Sequence, residues 1–171
     1  MDRHGGIKAS FTEQKQPPTE GETMKPLFLY STKSGNAEKV AKVIAQELSC
    51  QCLRITKNSD SSNVDLNDFD TVFIGTGIYK GKPQTDLLNY LQGATIHGRK
   101  QFALFMTSFG WGKGIADKNT IDTIQTILSA RGQSMLGNSY CCFESGLGFV
   151  KRGHPNNNEL NEAGKWAKKL I

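Results

Sequence analysis

PLFLYSTKSGNAEKVAKVIAQEL, Pro26 to Leu48, carries the pattern that decides the fold. Its opening residues, Pro26 to Tyr30, form a short apolar run that suits a buried strand. From Asn36 onward, Val40, Val43, Ile44 and Leu48 recur at helical spacing and line one face of a helix. Between them lies a hydroxyl-rich turn, Ser31-Thr32-Lys33-Ser34-Gly35. A strand that runs through a tight turn into an amphipathic helix is the first half of a parallel βαβ unit.

The alternation continues toward the C-terminus. Cys52 to Ile55 reads as a weaker second strand. Thr71 to Ile74, extended by Gly75, reads as a third, and Phe102 to Met106 as a fourth. Ser134 to Phe143 reads as a fifth strand. Helices are expected over Thr85 to Leu91, Asp117 to Ala130 and Asn158 to Ile171. Only Lys57 to Asp70 separates strands two and three, room for no more than a short helix near Val64 to Asp68. Continuous apolar strands alternating with amphipathic helices imply an α/β fold whose parallel sheet is covered on both faces. The first 24 residues are polar, carry Pro17-Pro18 and lack periodicity, so a disordered tail or an expression remnant is expected, with one domain over 25–171.

The chain has 171 residues, 37% hydrophobic and 22% charged, which suits one domain that needs no disulfide or metal to fold. No apolar run approaches the ~20 residues of a membrane span, and no signal segment is visible, so a cytoplasmic protein is expected. The four cysteines are spaced C-x-C (Cys50, Cys52) and C-C (Cys141, Cys142), which matches no metal or redox motif and suits small hydrophobes on strands. The formal net charge of +5 raises nucleic-acid binding. The lysines are dispersed rather than striped with exposed aromatics, which argues against it.

Ligands of such sheets bind at the carboxyl ends of the strands, near the switch in strand order. Three loops there are unusual. The first, Ser31-Thr32-Lys33-Ser34-Gly35-Asn36-Ala37, offers outward amides, hydroxyls and a helix N-terminus, a combination suited to phosphate. The second, Thr76-Gly77-Ile78-Tyr79-Lys80-Gly81-Lys82-Pro83, places an aromatic between two glycines. The third, Thr107-Ser108-Phe109-Gly110-Trp111-Gly112-Lys113-Gly114, places two aromatics among glycines. Aromatic rings in such loops make sense if they flank a flat ring system, while glycine lets the backbone reach its polar edge. The glycines match neither the Walker spacing nor G-x-G-x-x-G.

With these residues in view, 25–171 resembles the short-chain flavodoxins. Tyr30 to Glu38 (YSTKSGNAE) resembles the family's FMN phosphate loop, and Phe69 to Gly81 (FDTVFIGTGIYKG) its third strand and first flavin-flanking loop. Gly153-His154-Pro155, leading to Trp166-Ala167, resembles the start of its C-terminal helix. The resemblance implies a flavodoxin-like three-layer sandwich, a five-stranded parallel sheet in the order 2-1-3-4-5, with FMN as cofactor. It implies phosphate donors at Thr32, Ser34 and Asn36 with amides from Lys33 to Ala37. Ala37 stands where the family usually has threonine, which removes one hydroxyl. Tyr79 would cover one ring face and Trp111 or Phe109 the other. Peptides of Tyr79, Lys80 and Gly81 would lie by flavin N5, with the backbone of Thr107 and Ser108 at the pyrimidine edge.

The implied function is electron transfer between redox partner proteins by a monomer. Flavodoxins are typically acidic, however, and this domain is basic. Lys33, Lys80, Lys82, Lys113, Lys151 and Arg152 fall in or near the site rim, which suits an acidic redox partner and a reduction potential less negative than the family's usual. Ile74 to Ile78 also resembles, more loosely, the flavodoxin-like protoporphyrinogen oxidases. The alternative is therefore an FMN-dependent reductase or oxidase with its own quinone or tetrapyrrole substrate. His97 and His154 are its candidate proton donors.

Overall fold

The computed structural model describes residues 25–59, 64–110, 112–143 and 153–171. The N-terminal tail, Trp111, Lys151 and Arg152, about which the sequence raised expectations, lie outside them. The elements run β1 (Pro26–Ser31), α1 (Asn36–Glu47), β2 (Gln51–Arg54), a 3-10 turn (Leu66–Asp68), β3 (Thr71–Gly77), α2 (Thr85–Gly93), β4 (Gln101–Ser108), α3 (Ile115–Ala130), β5 (Ser134–Met135), β6 (Tyr140–Phe143) and α4 (Asn157–Lys168).

The sheet is parallel in the order β2-β1-β3-β4-β5, with β6 also beside β4. The expected single fifth strand is thus broken in two. Phe102 faces Met135 but Phe105 faces Tyr140, so two extra residues bulge out between the segments. Gly137 takes φ 51° within the bulge, and the Asn138 carbonyl there accepts a hydrogen bond from Trp166 Nε1 at 3.1 Å. Strands β3 and β4 run further than their apolar cores suggest. Thr76 pairs with Met106 and Gly77 with Thr107, so Thr76, Gly77, Thr107 and Ser108 are strand residues rather than loop residues.

Alternate side chains of the strands feed two cores. Leu27, Leu29, Val72, Ile74, Phe102 and Leu104 pack with Leu87, Leu91, Ile124 and Leu128 of α2 and α3. Phe28, Phe73 and Phe105 pack with Val40, Ile44, Ala163 and Ala167 of α1 and α4. Both faces being covered is why the strands read as unbroken apolar runs. In the second core the rings of Phe28 and Phe73 stack at 6.0 Å, and Trp166 meets Phe73 edge-on at 5.9 Å. Helices α1 and α4 lie side by side. Gly164 allows this, since a Cβ there would meet Glu47 Cγ at 2.9 Å, and Lys168 pairs with the Glu47 carboxylate.

Cys142 is buried, and Cys50, Cys52 and Cys141 are partly so, all as free thiols. Burial pushes the Cys50 and Cys52 thiols up to about 11 and Cys141 to about 12. Among the described residues no helix is long and apolar enough to cross a membrane.

Candidate functional site

The parallel sheet brings the turns after β1, β3 and β4 to one edge, because all three strands end there. After β1 the chain passes through Gly35, which takes φ 82° as the N-cap of α1. Glycine accepts this left-handed backbone readily, and having no side chain it leaves the helix N-terminus uncapped from that position. Two local bonds brace the turn: the Gly35 amide donates to Thr32 Oγ1 at 3.1 Å and the Asn36 amide to Ser34 Oγ at 3.4 Å. Arg54, at the end of β2, donates from Nη2 to the Thr32 carbonyl at 3.1 Å. Sequence reasoning did not single out Arg54. Its signal was its position at the carboxyl end of the neighbouring strand.

The amides of Lys33 and Ser34 converge on one oxygen. That oxygen is the Tyr79 hydroxyl, which receives them at 3.3 Å and 2.7 Å and donates to Ser34 Oγ at 2.5 Å. Thr32 Oγ1 lies 3.4 Å from it. Tyr79 therefore bridges the first and second loops. Its ring lies over Gly77, where an added Cβ would stand 2.6 Å from Cε2.

The reach of Tyr79 is set by the turn that follows. Tyr79 and Lys82 exchange backbone hydrogen bonds of 2.9 Å and 3.0 Å, while Lys80 and Gly81 take φ 50° and 77°. Positive φ at both central residues makes this a type I′ turn. Ile78 is buried and its amide donates to the Thr107 carbonyl at 2.9 Å, which joins the second loop to β4. The Thr107 carbonyl is thus engaged, and the Thr107 hydroxyl is buried without a partner. Thr76 Oγ1 accepts from the Gln84 amide at 3.0 Å and so ties the second loop to the start of α2.

The third loop wraps a carboxylate that sequence reasoning missed. Asp117 is fully buried, and its Oδ2 accepts the Gly114 amide at 2.8 Å. The Gly-x-x-Asp spacing before a helix was its signal. Gly112 takes φ 77°, with Cys141 Cβ 3.1 Å from where its own Cβ would stand. Phe109 does not fold back on the core; it is 49% exposed, and Ile115 at the start of α3 is 83% exposed. Around them Lys80, Lys82, Lys113 and Lys118 are exposed and form no ion pair among the described residues, and the same holds for Lys33 in the first loop.

His154 lies along the same sheet edge. Its Nδ1 is 2.6 Å from Glu159 Oε2, and its ring packs 5.5 Å from that of Phe143, the strand partner of Ser108. Glu159 also accepts the Phe143 and Asn156 amides, each at 2.8 Å. Burial pushes its carboxyl up, but these two amides and His154 outweigh that and hold it below its ordinary value. His97 sits elsewhere, before β4, with its amide on Asn67 Oδ1.

Comparison with known proteins agrees with this fold. A family model described as a flavodoxin domain matches residues 27–135. An uncharacterised protein of Methanocaldococcus jannaschii is 30% identical over 86% of this chain and 99% of its own. The flavodoxin-like domain-containing protein BilS of Clostridioides difficile is 29% identical over 69% of this chain and 65% of its own. Among solved structures, oxidised flavodoxin 1 of Bacillus cereus superposes with a TM-score of 0.64 at 15% identity, over 85% of this chain and 96% of its own. The strand order, the loops gathered at one sheet edge and the family match lead to one assignment: the chain belongs to the flavodoxin domain family.

Proposed function

We propose that this domain binds FMN at the carboxyl ends of β1, β3 and β4 and carries electrons between redox partner proteins. The observation that carries the reading is the convergence of the Lys33 and Ser34 amides on a single oxygen, which is how a phosphate oxygen would be held. FMN supplies the redox chemistry. The chain would supply the rest: Thr32, Ser34 and Asn36 with the amides of Lys33 to Ala37 would hold the phosphate, Tyr79 would cover one ring face, and Phe109 is the candidate for the other. The Thr107 hydroxyl is a buried polar atom without a partner at this edge, and it fits a ligand with a polar rim. The partner is an acidic redox protein, because the exposed apolar tips of Phe109 and Ile115 stand among unpaired lysines. The working unit is a cytoplasmic monomer built on 25–171.

A second reading, an FMN-dependent reductase or oxidase with a quinone or tetrapyrrole substrate, has one observation in its favour. Glu159 engages His154 through Nδ1, which leaves Nε2 as the ring nitrogen available to a substrate. The deciding experiment is a visible spectrum of the purified protein with and without added FMN, followed by stepwise anaerobic reduction. Flavin bands that pass through a long-wavelength one-electron species support the carrier. Reduction in a single two-electron step supports the reductase. Failure to bind micromolar FMN removes both.

A further inference from the structure

We propose that Tyr79 is a built-in competitor for the phosphate end of the ligand, its hydroxyl holding the amides that a phosphate monoester must take over. The proposal rests on the reading of the first loop as a phosphate site, and it adds a residue that sets the affinity of that site.

The geometry leaves little choice. The two amides already serve one oxygen, at 3.3 Å and 2.7 Å, and that oxygen is also bonded to Ser34 Oγ. A phosphate oxygen cannot occupy the same point, so the phenol must leave before phosphate enters. The aromatic is directed there by two backbone features. The type I′ turn at Lys80-Gly81 aims the side chain back across the sheet edge, and the absence of a Cβ on Gly77 leaves room for the ring there. Once displaced, the same ring is free to lie against the flat part of the ligand. Phosphate binding and ring packing are thereby coupled through one side chain: the binding-competent fraction of the free protein is the fraction with Tyr79 out of the first loop.

Removing the hydroxyl raises that fraction. Given the modest net worth of each hydrogen bond lost from the competing state, Tyr79→Phe is expected to bind phosphate about threefold to tenfold more tightly. The second variant, Gly77→Ala, keeps the hydroxyl but pushes the ring off its seat, and it moves phosphate affinity in the same direction. The test titrates wild type and both variants with inorganic phosphate, read by the NMR shifts of the Lys33 and Ser34 amides, and titrates wild type and Tyr79→Phe with FMN. Thermal melts confirm that each variant is folded. Tighter phosphate and tighter FMN binding in Tyr79→Phe is the expected result. Tighter phosphate without FMN binding in either protein keeps the competitor and rejects FMN as the ligand. Unchanged phosphate affinity in Tyr79→Phe overturns the proposal, whatever FMN does.

Discussion

Asp117 closes beneath Gly110: a Cβ added at Gly110 would collide with Asp117 Oδ2 and crowd the backbone of Gly114 at 3.0 Å. The carboxylate is fully buried and bonded to the Gly114 amide, so the third loop is built around it. Gly110→Ala must expel the carboxylate or move the loop. Either response costs about 1–3 kcal/mol, the range for overpacking and for a broken buried hydrogen bond. Urea denaturation should show this loss. Asp117→Ala should show a similar one, and the double variant should lose less than the sum, because the collision and the bond involve the same oxygen. Full additivity would mean that the two residues do not meet.

Glu159 makes α4 sensitive to acid. Its carboxyl lies below its ordinary value of 4.5, so the folded state binds the proton more weakly than the unfolded state does. The stabilisation is fully present above that value and is lost as pH falls through the lowered one. Glu159→Gln turns an acceptor of three donors into a mixed group that faces at least one of them with an N–H. At neutral pH it should destabilise the domain by about 1–3 kcal/mol. The gap between variant and wild type should shrink as pH drops below about 4.5. Chemical denaturation at several pH values measures both; a gap that stays constant down to strong acid would exclude the linkage.

The layered fold was legible because each strand and helix is coded locally. Unbroken apolar runs and helical spacing were enough to place β1, β3, β4 and all four helices within a few residues. The break between β5 and β6 was not legible: Ser134 to Phe143 has the look of one strand, and the bulge depends on Gly137 turning and on Trp166 reaching Asn138 from a distant helix. The three loops at the site were legible from their glycines, hydroxyls and aromatics. The bond from Tyr79 to Ser34 was not, since it joins residues 45 positions apart and follows from the hand of one turn. Asp117 was hidden differently. Its spacing from Gly114 is local, but among so many glycines the cap did not stand out.

That turn has its own energetics. Lys80 takes φ 50°, a region that costs a side-chain-bearing residue about 1–2 kcal/mol, whereas Gly81 takes φ 77° without penalty. Asn-Gly is a favoured type I′ pair. Lys80→Asn should therefore stabilise the domain by about 0.5–1 kcal/mol, and Gly81→Ala should destabilise it by about 1–2 kcal/mol. Thermal and urea unfolding of the pair give the sign of each. The reverse order would show that the turn is not type I′. Because the turn also aims Tyr79, Gly81→Ala should disturb the amide shifts of Lys33 and Ser34 even though it touches neither.

The lysine rim makes a prediction about the bound flavin in the proposed carrier. Lys82 and Lys113 are exposed, lie in the second and third loops and have no acidic partner among the described residues. A positive charge about 10 Å from the ring stabilises an added electron by roughly 0.4–1.7 kcal/mol, depending on the effective dielectric. For a one-electron couple this corresponds to about 20–70 mV. Lys82→Gln and Lys113→Gln should each make the potential more negative by an amount in that range. Moderate salt should reduce the effect, since exposed charges are screened over about 10 Å at 0.1 M. The same variants should slow electron transfer to an acidic partner more than to a neutral one, because charge steers encounter. A shift in potential without a change in transfer rate would place the lysines near the ring but outside the docking face. A change in rate alone would place them on the docking face, with solvent screening the ring from their charge.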